Sequence, residues 1–572
     1  YPIVISPHDP DTLYVTSNVV HRSRDGGMSW EVISPDLTRN DPDKLQSSGG
    51  PITKDNTGAE YYCTIFTFAE SPVSPGILWA GSDDGLVHLS RDGGQTWHDV
   101  TPPQLPEWTL VSILEPSPHD AASCYLAATR YKLDDFRPYL FKTTDFGQSW
   151  VSITTGIPED DFTRVIREDP ARRGLLYAGT ETGLYVSLDD GGHWQRFQSN
   201  LPVVPIHDLV VKESDLVVAT HGRSFWILDD LTPLRQFEPA QLEQPAHLYQ
   251  PRPTVRFRVY RGFGHPPTTG KSYRMTGATM VTFETRETET GDKIEVYVDA
   301  GQNPPDGVIV TYYLREQPEG EVTLAIVDAE GTVIRSFSSE KKDVPPGEEE
   351  SKEPLVPKTP GFHRFVWNLR YPDAVRVPDD KSMEFTGGVL GPLVPPGRYQ
   401  VHLCIGDQCW SAWFEVVRDP RIEASDAELR EQFELAYRVW RKLSETHESI
   451  NRIRKLRRQL ELWETRDDLP KLREKAKEVR EKLLEIEGEL IQYRAQGRQD
   501  VLNYPLKLNA KLAGLATAIG SADNRPTRQA YEVFADLSQR VDAQLARLRE
   551  LIERDVAEFN RIVVESAAVV SA

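Results

Sequence analysis

The sequence predicts a mainly β chain with an α-helical C-terminal part, and three observations carry that prediction. An eight-residue motif recurs four times in the first part of the chain. Short alternating strands follow, up to about residue 418. From Ser425 the apolar period then changes from two to 3.6. Together they predict a β-propeller over residues 1–235, a connector over 236–290, a β-sandwich over 291–418 and an antiparallel helical bundle over 424–566.

The repeat is the strongest signal. Ser23-Arg24-Asp25-Gly26-Gly27-Met28-Ser29-Trp30 recurs as Ser90-Arg91-Asp92-Gly93-Gly94-Gln95-Thr96-Trp97. It returns as Thr143-Thr144-Asp145-Phe146-Gly147-Gln148-Ser149-Trp150 and as Ser187-Leu188-Asp189-Asp190-Gly191-Gly192-His193-Trp194, where His193 breaks the pattern. Asp can bond backbone amides of a tight turn, Gly supplies positive φ, and Trp is expected to pack back on its own hairpin. Each motif closes a unit of four short strands, such as Leu78-Trp79-Ala80-Gly81 followed by Leu86-Val87-His88-Leu89, and four strands per unit is blade architecture. A fifth unit, Leu216-Val217-Val218-Ala219-Thr220 through Phe225-Trp226-Ile227-Leu228, lacks the motif. Tyr1 falls at the start of an innermost strand. The expectation is about five blades of a larger propeller, with the missing blades upstream or on another chain.

Strand order separates the two faces. The motif turn joins the third and fourth strands of a blade, so it shares a face with the turn joining the first and second. Asp25, Trp30, Asp92, Trp97, Asp145, Trp150, Asp189 and Trp194 are therefore read as structural. Asp25 to Asp92 is 67 residues, Asp92 to Asp145 is 53 and Asp145 to Asp189 is 44. A bare blade needs about 40–45, so the first two intervals carry insertions, and these fall on the opposite face. There the loops collect Lys54, Glu60 and Tyr61, then Arg130, Tyr131, Lys132, Asp134 and Asp135, then Asp160, Asp161 and Arg164, then Glu181, His221 and Arg223. Loops on a rigid scaffold commonly carry function. Asp134, Asp135, Asp160, Asp161 and Glu181 are the candidate acids and bases for glycoside cleavage. Lys54, Glu60, Tyr61, Arg130, Tyr131, Lys132, Arg164, His221 and Arg223 are the candidate ligand-binding residues. No cofactor or metal is assigned; the pairs Asp134-Asp135 and Asp160-Asp161 are of the type that could hold calcium.

Beyond the repeat, residues 236–290 are rich in Pro, Thr and Arg and read as a connector. Val308-Ile309-Val310-Thr311-Tyr312-Tyr313-Leu314, Val322-Thr323-Leu324-Ala325-Ile326-Val327 and Gly361-Phe362-His363-Arg364-Phe365-Val366-Trp367 read as strands, with 341–358 as a flexible loop. Cys404 and Cys409 flank a two-residue Gly-Asp hairpin turn that places them opposite each other, a separation suited to a disulfide; two free thiols on one face is the alternative. Ser425 and Glu428 form a capping box, and Leu429, Phe433, Tyr437, Trp440 and Leu443 begin an apolar stripe. A second stripe runs from Val541 to Ile562, and breaks at 467–470, 497–505 and 520–526 divide the region into about four helices.

The balance of 66 Lys+Arg against 87 Asp+Glu, a formal charge of -21, argues against a nucleic-acid partner. No apolar run approaches the ~18 residues needed to span a bilayer. A disulfide favours an oxidising, extracytoplasmic setting.

The four motifs resemble the Asp-box of sialidases, sortilins and related BNR-repeat propellers. Residues 291–418 resemble the immunoglobulin-like β-sandwich of the flagellar hook-capping protein. The order propeller, sandwich and bundle is similar to bacterial secreted proteins labelled glycosyl hydrolase or sortilin-like, most specifically at the motifs and at 54–63, 130–135 and 220–230. The resemblance implies an extracellular or periplasmic protein. The full set of arginines and the nucleophilic tyrosine of a sialidase are not found. The leading expectation is a protein that binds a glycan or polypeptide on its loop-rich face. A glycoside hydrolase using the same carboxylates is the second, and a structural subunit assembling through its helical bundle is the third.

Overall fold

The computed structural model describes residues 1–54, 62–258, 270–276, 279–287, 293–298, 300–341, 353–383, 386 and 388–567. The chain forms two compact units, Tyr1–Phe237 and Glu238–Ala572.

The first unit is a succession of five antiparallel meanders. Sheet 1 has strands Ile3–Ile5, Leu13–Thr16, Val20–Ser23 and Glu31–Val32; sheet 2 has Ile65–Glu70, Leu78–Ser82, Val87–Ser90 and His98–Asp99. Sheet 3 has Leu110–Pro116, Cys124–Arg130, Asp135–Thr143 and Val151–Ser152; sheet 4 has Thr163–Glu168, Leu176–Thr180, Leu184–Ser187 and Gln195–Arg196. Sheet 5 has three strands, Ile206–Lys212, Asp215–Thr220 and Phe225–Leu228. From sheet 3 onward each first strand packs on the first strand of the preceding sheet, the relation of consecutive propeller blades, while Ile65–Glu70 of sheet 2 packs on Leu13–Thr16 of sheet 1. The second strands Leu78–Ser82 and Leu176–Thr180 are buried on both faces, which is why they read as unbroken apolar and small residues rather than alternating ones. A short helix α1 (Thr232–Gln236) closes the unit, with Arg235 paired at 3.0 Å to the buried Asp169 of sheet 4.

The motif turns work by the same bonds in each sheet. The first Ser or Thr donates its hydroxyl to the Asp at 2.8 Å in all four copies. The Asp accepts from the amide four residues on, at 2.9 Å from Ser29, Thr96 and Ser149 and at 2.8 Å from His193. Hydroxyls of Ser29, Thr96 and Ser149 add a second bond to it, and His193 cannot.

The tryptophans correct the expectation that each packs on its own hairpin. Trp97 donates to the Ile33 carbonyl at 2.9 Å, Trp150 to Val100 at 2.8 Å and Trp194 to Ile153 at 2.6 Å. In each case the acceptor lies just beyond the fourth strand of the preceding sheet. The glycine at the fifth position of the motif lets that residue in. A Cβ on Gly94 would stand 2.9 Å from Ile33, on Gly147 2.7 Å from Val100 and on Gly191 2.8 Å from Ile153, and all three have positive φ. The motif is thus an intersheet latch. Histidines add a second one, His8 donating to Ser71 O and His119 to Asp169 O, both at 2.8 Å.

Trp30 is the exception. It bonds Gly27 O of its own turn and is 46% exposed. The outer faces of the two end sheets are also apolar: Ile3 is 73% exposed in sheet 1 and Phe225 76% in sheet 5, beside exposed Ile5 and Ile227.

In the second unit, a three-stranded sheet (Ala246–Leu248, Val308–Leu314, Gly361–Trp367) faces a five-stranded one (Thr254–Arg256, Gln408–Arg418, Gly397–Ile405, Val322–Asp328, Val333–Ser338). Val308, Val310, Tyr312 and Trp367 of one share a core with Leu324, Ile326, Val401 and Phe414 of the other. Part of the expected connector is therefore sheet: Ala246–Leu248 and Thr254–Arg256 are edge strands, and Gly270–Thr276 pairs with Thr279–Glu287. The Pro and Arg content concealed them, since edge strands tolerate both. Most of the 341–358 segment and residues 259–269 lie outside the described residues. Cys404 and Cys409 pair across the hairpin and are disulfide-bonded, with Cα atoms 4.2 Å apart. Cys63 and Cys124 are buried free thiols.

Helices α2 (Asp426–Glu464), α3 (Pro470–Leu490), α4 (Leu508–Ile519), α5 (Arg528–Leu551) and α6 (Ala557–Ala567) form one apolar core, with a π-helical turn Ile552–Val556 between the last two. Ser425 caps α2, its hydroxyl accepting from Glu428 N at 3.3 Å while Glu428 accepts from Ser425 N at 2.9 Å. Leu435 and Val439 face the helical core, whereas Phe433, Tyr437 and Trp440 ring Tyr371 at 5.5, 5.3 and 5.9 Å. The α2 stripe is two stripes because the helix contacts both the helical core and the sandwich side. No helix among the described residues is long and apolar enough to cross a membrane.

Two outcomes follow from the latch. Trp194→Ala should cost about 3–5 kcal/mol in urea unfolding of the whole chain, and Trp30→Ala about 1 kcal/mol or less. Hydrogen bonds from Ser29 and Thr96 hold Asp25 and Asp92 at about 2, below the ordinary 3.8. Folded values below the unfolded one give a contribution that is complete above 3.8 and lost as pH falls toward 2, so the urea midpoint should drop across that window. Asp25→Asn should flatten part of that drop.

Candidate functional site

The loops opposite the motif turns join second to third strands within a sheet, and last to first strands between sheets. On sheets 3–5 they build a shelf of aromatic rings around one arginine. A single 3-10 turn, Tyr131–Leu133, ends with Asp134 in the left-handed region and presents Tyr131. The Tyr131 ring stacks on Phe162 at 5.0 Å and 17°, and Phe136 leans on the same ring at 6.0 Å. The Arg164 guanidinium lies 5.1 Å from the Tyr131 ring and 4.9 Å from the Phe162 ring, within cation–π range. It donates twice to one Glu181 oxygen, at 3.0 and 2.6 Å. His207 and His221 stand edge to face at 4.7 Å, with Nε2 of one 3.3 Å from Nδ1 of the other. Burial, Arg164 and His221 together push His207 below the ordinary 6.5.

A second shelf lies on the loops of sheets 1 and 2. Trp108, in the left-handed region ahead of sheet 3, has the Arg39 guanidinium and the Lys44 ammonium each 5.6 Å from its ring centre, and Tyr62 edge-on at 5.7 Å. Asp84 is fully buried and accepts from Arg39 N at 2.8 Å, while Thr64 donates to Asp83 from both its amide and its hydroxyl. Burial raises Asp83 above the ordinary carboxylate value.

Three of the five carboxylates expected as acid and base, Asp135, Asp161 and Glu181, are bonded to protein donors. Asp135 accepts from Arg137 at 3.0 and 2.9 Å, from Arg130 at 3.2 Å and from Tyr139 at 2.7 Å, which holds it well below the usual carboxylate range. Asp161 is buried and accepts from Thr180 at 2.9 Å, from the Thr182 amide and hydroxyl at 3.1 and 2.7 Å, and from Tyr185 at 3.0 Å. Burial, then the Asp161 charge, pushes the Tyr185 phenol up to about 12. Asp161 therefore ties a between-sheet loop to a within-sheet loop. Glu181 is the partner of Arg164. Asp134 and Asp160 are exposed, and Asp160 makes no hydrogen bond among the described residues.

Of the expected ligand-binding residues, Tyr131, Arg164 and His221 join the shelf, while Arg130 is drawn into the Asp135 cluster. Lys54, Lys132 and Arg223 are exposed, and Glu60 and Tyr61 lie outside the described residues. Sequence reasoning overlooked Phe136, Phe162, His207, Trp108 and Arg39. The usable signal was an aromatic residue in a polar loop, as in Pro106-Glu107-Trp108, where no strand alternation demands one. Among the described residues no group of three or more His, Cys, Asp or Glu is placed to hold a metal ion.

If Arg164 acts on His207 through space, Arg164→Gln should raise the His207 titration midpoint toward 6.5 in an NMR pH series. An unchanged midpoint would contradict a through-space effect of Arg164.

No protein-family model and no curated protein matches the chain. Solved structures do. The GH74 xyloglucanase from Xanthomonas campestris is 16% identical with a TM-score of 0.31, the match covering 70% of this chain and 62% of that one. An ancestral GH74 enzyme is 14% identical with a TM-score of 0.30, over 60% of this chain and 39% of its own. YCF48 from Cyanidioschyzon merolae is 15% identical with a TM-score of 0.23, over 45% of this chain and 80% of its own. None of these likenesses is close enough to transfer an activity.

Proposed function

We propose that the first unit is a blade array of the Asp-box type whose loop-rich face binds a glycan or a polypeptide without cleaving it. The observation that supports this reading is the employment of the carboxylates. Cleavage by paired acids needs one carboxyl kept protonated and a second free to act across the substrate. Asp135 and Asp161 are spent on protein donors and Glu181 on Arg164, which leaves Asp134 and Asp160 as the exposed carboxylates of this face. Asp83, raised by burial, has both oxygens bonded by Thr64. What the face offers instead is ring surface with polar groups at its edge, at Tyr131, Phe136 and Trp108. Such surface can stack on a sugar ring or take a side chain, with the two histidines beside it to hydrogen-bond.

The fold that carries this face is an immunoglobulin-like sandwich and an antiparallel bundle joined to propeller blades, and its setting is extracellular or periplasmic. The exposed Trp30 and the apolar end faces fit contact with further blades, from the same polypeptide or from another chain. A compact, monodisperse 64.8 kDa particle in solution would contradict that extension.

A polysaccharide and peptide panel tests the binding reading. Retention of a ligand, weakened about tenfold or more by Tyr131→Ala or Arg164→Ala with no new reducing ends, is expected. Release of reducing ends that stops on Asp134→Asn or Asp160→Asn would favour the hydrolase.

A further inference from the structure

The second unit holds a cavity of about 260 Å³ where the edge strand Thr254–Arg256, residues 388–393, α2 and the end of α4 meet. Its two walls differ in kind. One is apolar, made by Leu393, Phe433, Ala436 and Trp440; the other carries Arg256, Arg258 and Arg370. Three guanidinium groups on so small a space require counter-charge, and among the described residues one carboxylate is paired with them. Asp523 Oδ1 lies 3.2 Å from Arg256 and 3.0 Å from Arg258. Asp373, the other carboxylate felt by Arg370, is paired with Arg376 at 2.8 Å.

Neutral acceptors take some of the remaining donors. Gln432 accepts from Arg256 at 3.1 Å, Ala522 O from Arg258 at 3.1 Å and Gly391 O from Arg370 at 2.8 Å, while Gly520 O also accepts from Arg258. These bonds fix the guanidinium groups in place but leave positive charge in excess. Arg256 is the sharpest case: its side chain is 3% exposed, and its Nε and Nη1 have no hydrogen-bond partner. Buried donors left without an acceptor are costly, and a bound anion would relieve that cost. Burial lowers both Arg256 and Arg370, consistent with charge held against its solvation.

We propose that this cavity binds a small organic oxyanion, a carboxylate on an apolar body of about benzoate size. The arginines offer the forked donors that a planar carboxylate matches. Phe433 and Trp440 cover a hydrocarbon body, which an inorganic anion would leave bare. The site is in the second unit and is independent of the loop-face reading.

Calorimetric titration of the whole chain with benzoate, benzyl alcohol and inorganic phosphate tests the inference. Saturable one-to-one benzoate binding is expected, about tenfold or more tighter than either of the others. Arg258→Gln, at a partly exposed position, should weaken it by about tenfold. Ala516→Phe, which fills the cavity without altering charge, should abolish it, with circular dichroism confirming that both variants fold. Absence of saturable benzoate uptake would overturn the proposal, as would phosphate binding as tightly as benzoate or uptake indifferent to Arg258→Gln.

Discussion

The first unit depends on one repeated contact, the docking of each motif turn on the edge of the sheet before it. Trp97, Trp150 and Trp194 each hand an indole N–H to a backbone carbonyl of the preceding sheet. A glycine three residues earlier lets the accepting residue approach, and the Asp of the same turn fixes the loop that carries both. A buried N–H···O bond contributes modestly by itself. Coupled to burial of most of an indole ring, it is large enough to order one sheet on the next. The loops on the far face inherit their spacing from that order, so the aromatic shelves stand on a scaffold set from the opposite side of the molecule.

Much of this was legible in the sequence, and the illegible parts have physical causes. The four motifs located the third and fourth strands of sheets 1–4, and the change of apolar period located the helices. What the motif tryptophan touches was not legible, because its partner lies 64 residues earlier for Trp97 and 41 for Trp194, with no local pattern to mark it. The strands at 246–248 and 254–256 were hidden because an edge strand needs neither alternation nor freedom from proline. In α2, Leu435 and Val439 were passed over in favour of the aromatic ridge, since a helix with two covered faces has no single stripe.

The loop face shows a similar division. Carboxylates there were conspicuous in the sequence, yet Asp135 and Asp161 serve the fold, gathering donors from separate loops. Asp161 reaches three residues of the 180–185 stretch from the loop before sheet 4, a tie that only folding reveals. The groups left facing outward include ring surfaces, the Arg164–Glu181 pair and the exposed Asp134 and Asp160. The second unit shows the converse: at its cavity Arg256, Arg258 and Arg370 outnumber the described carboxylate paired with them.

The central claim is that the intersheet latch positions the loop face, and native-state hydrogen exchange of a Trp150→Ala variant measures it directly. The amide of Ile153, which bonds Leu140 O beside the Trp194 latch, should lose protection together with the amides of the sheet 3 loop at Asp134 and Arg137. Loss confined to residues around position 150, with loop protection unchanged, would contradict the account.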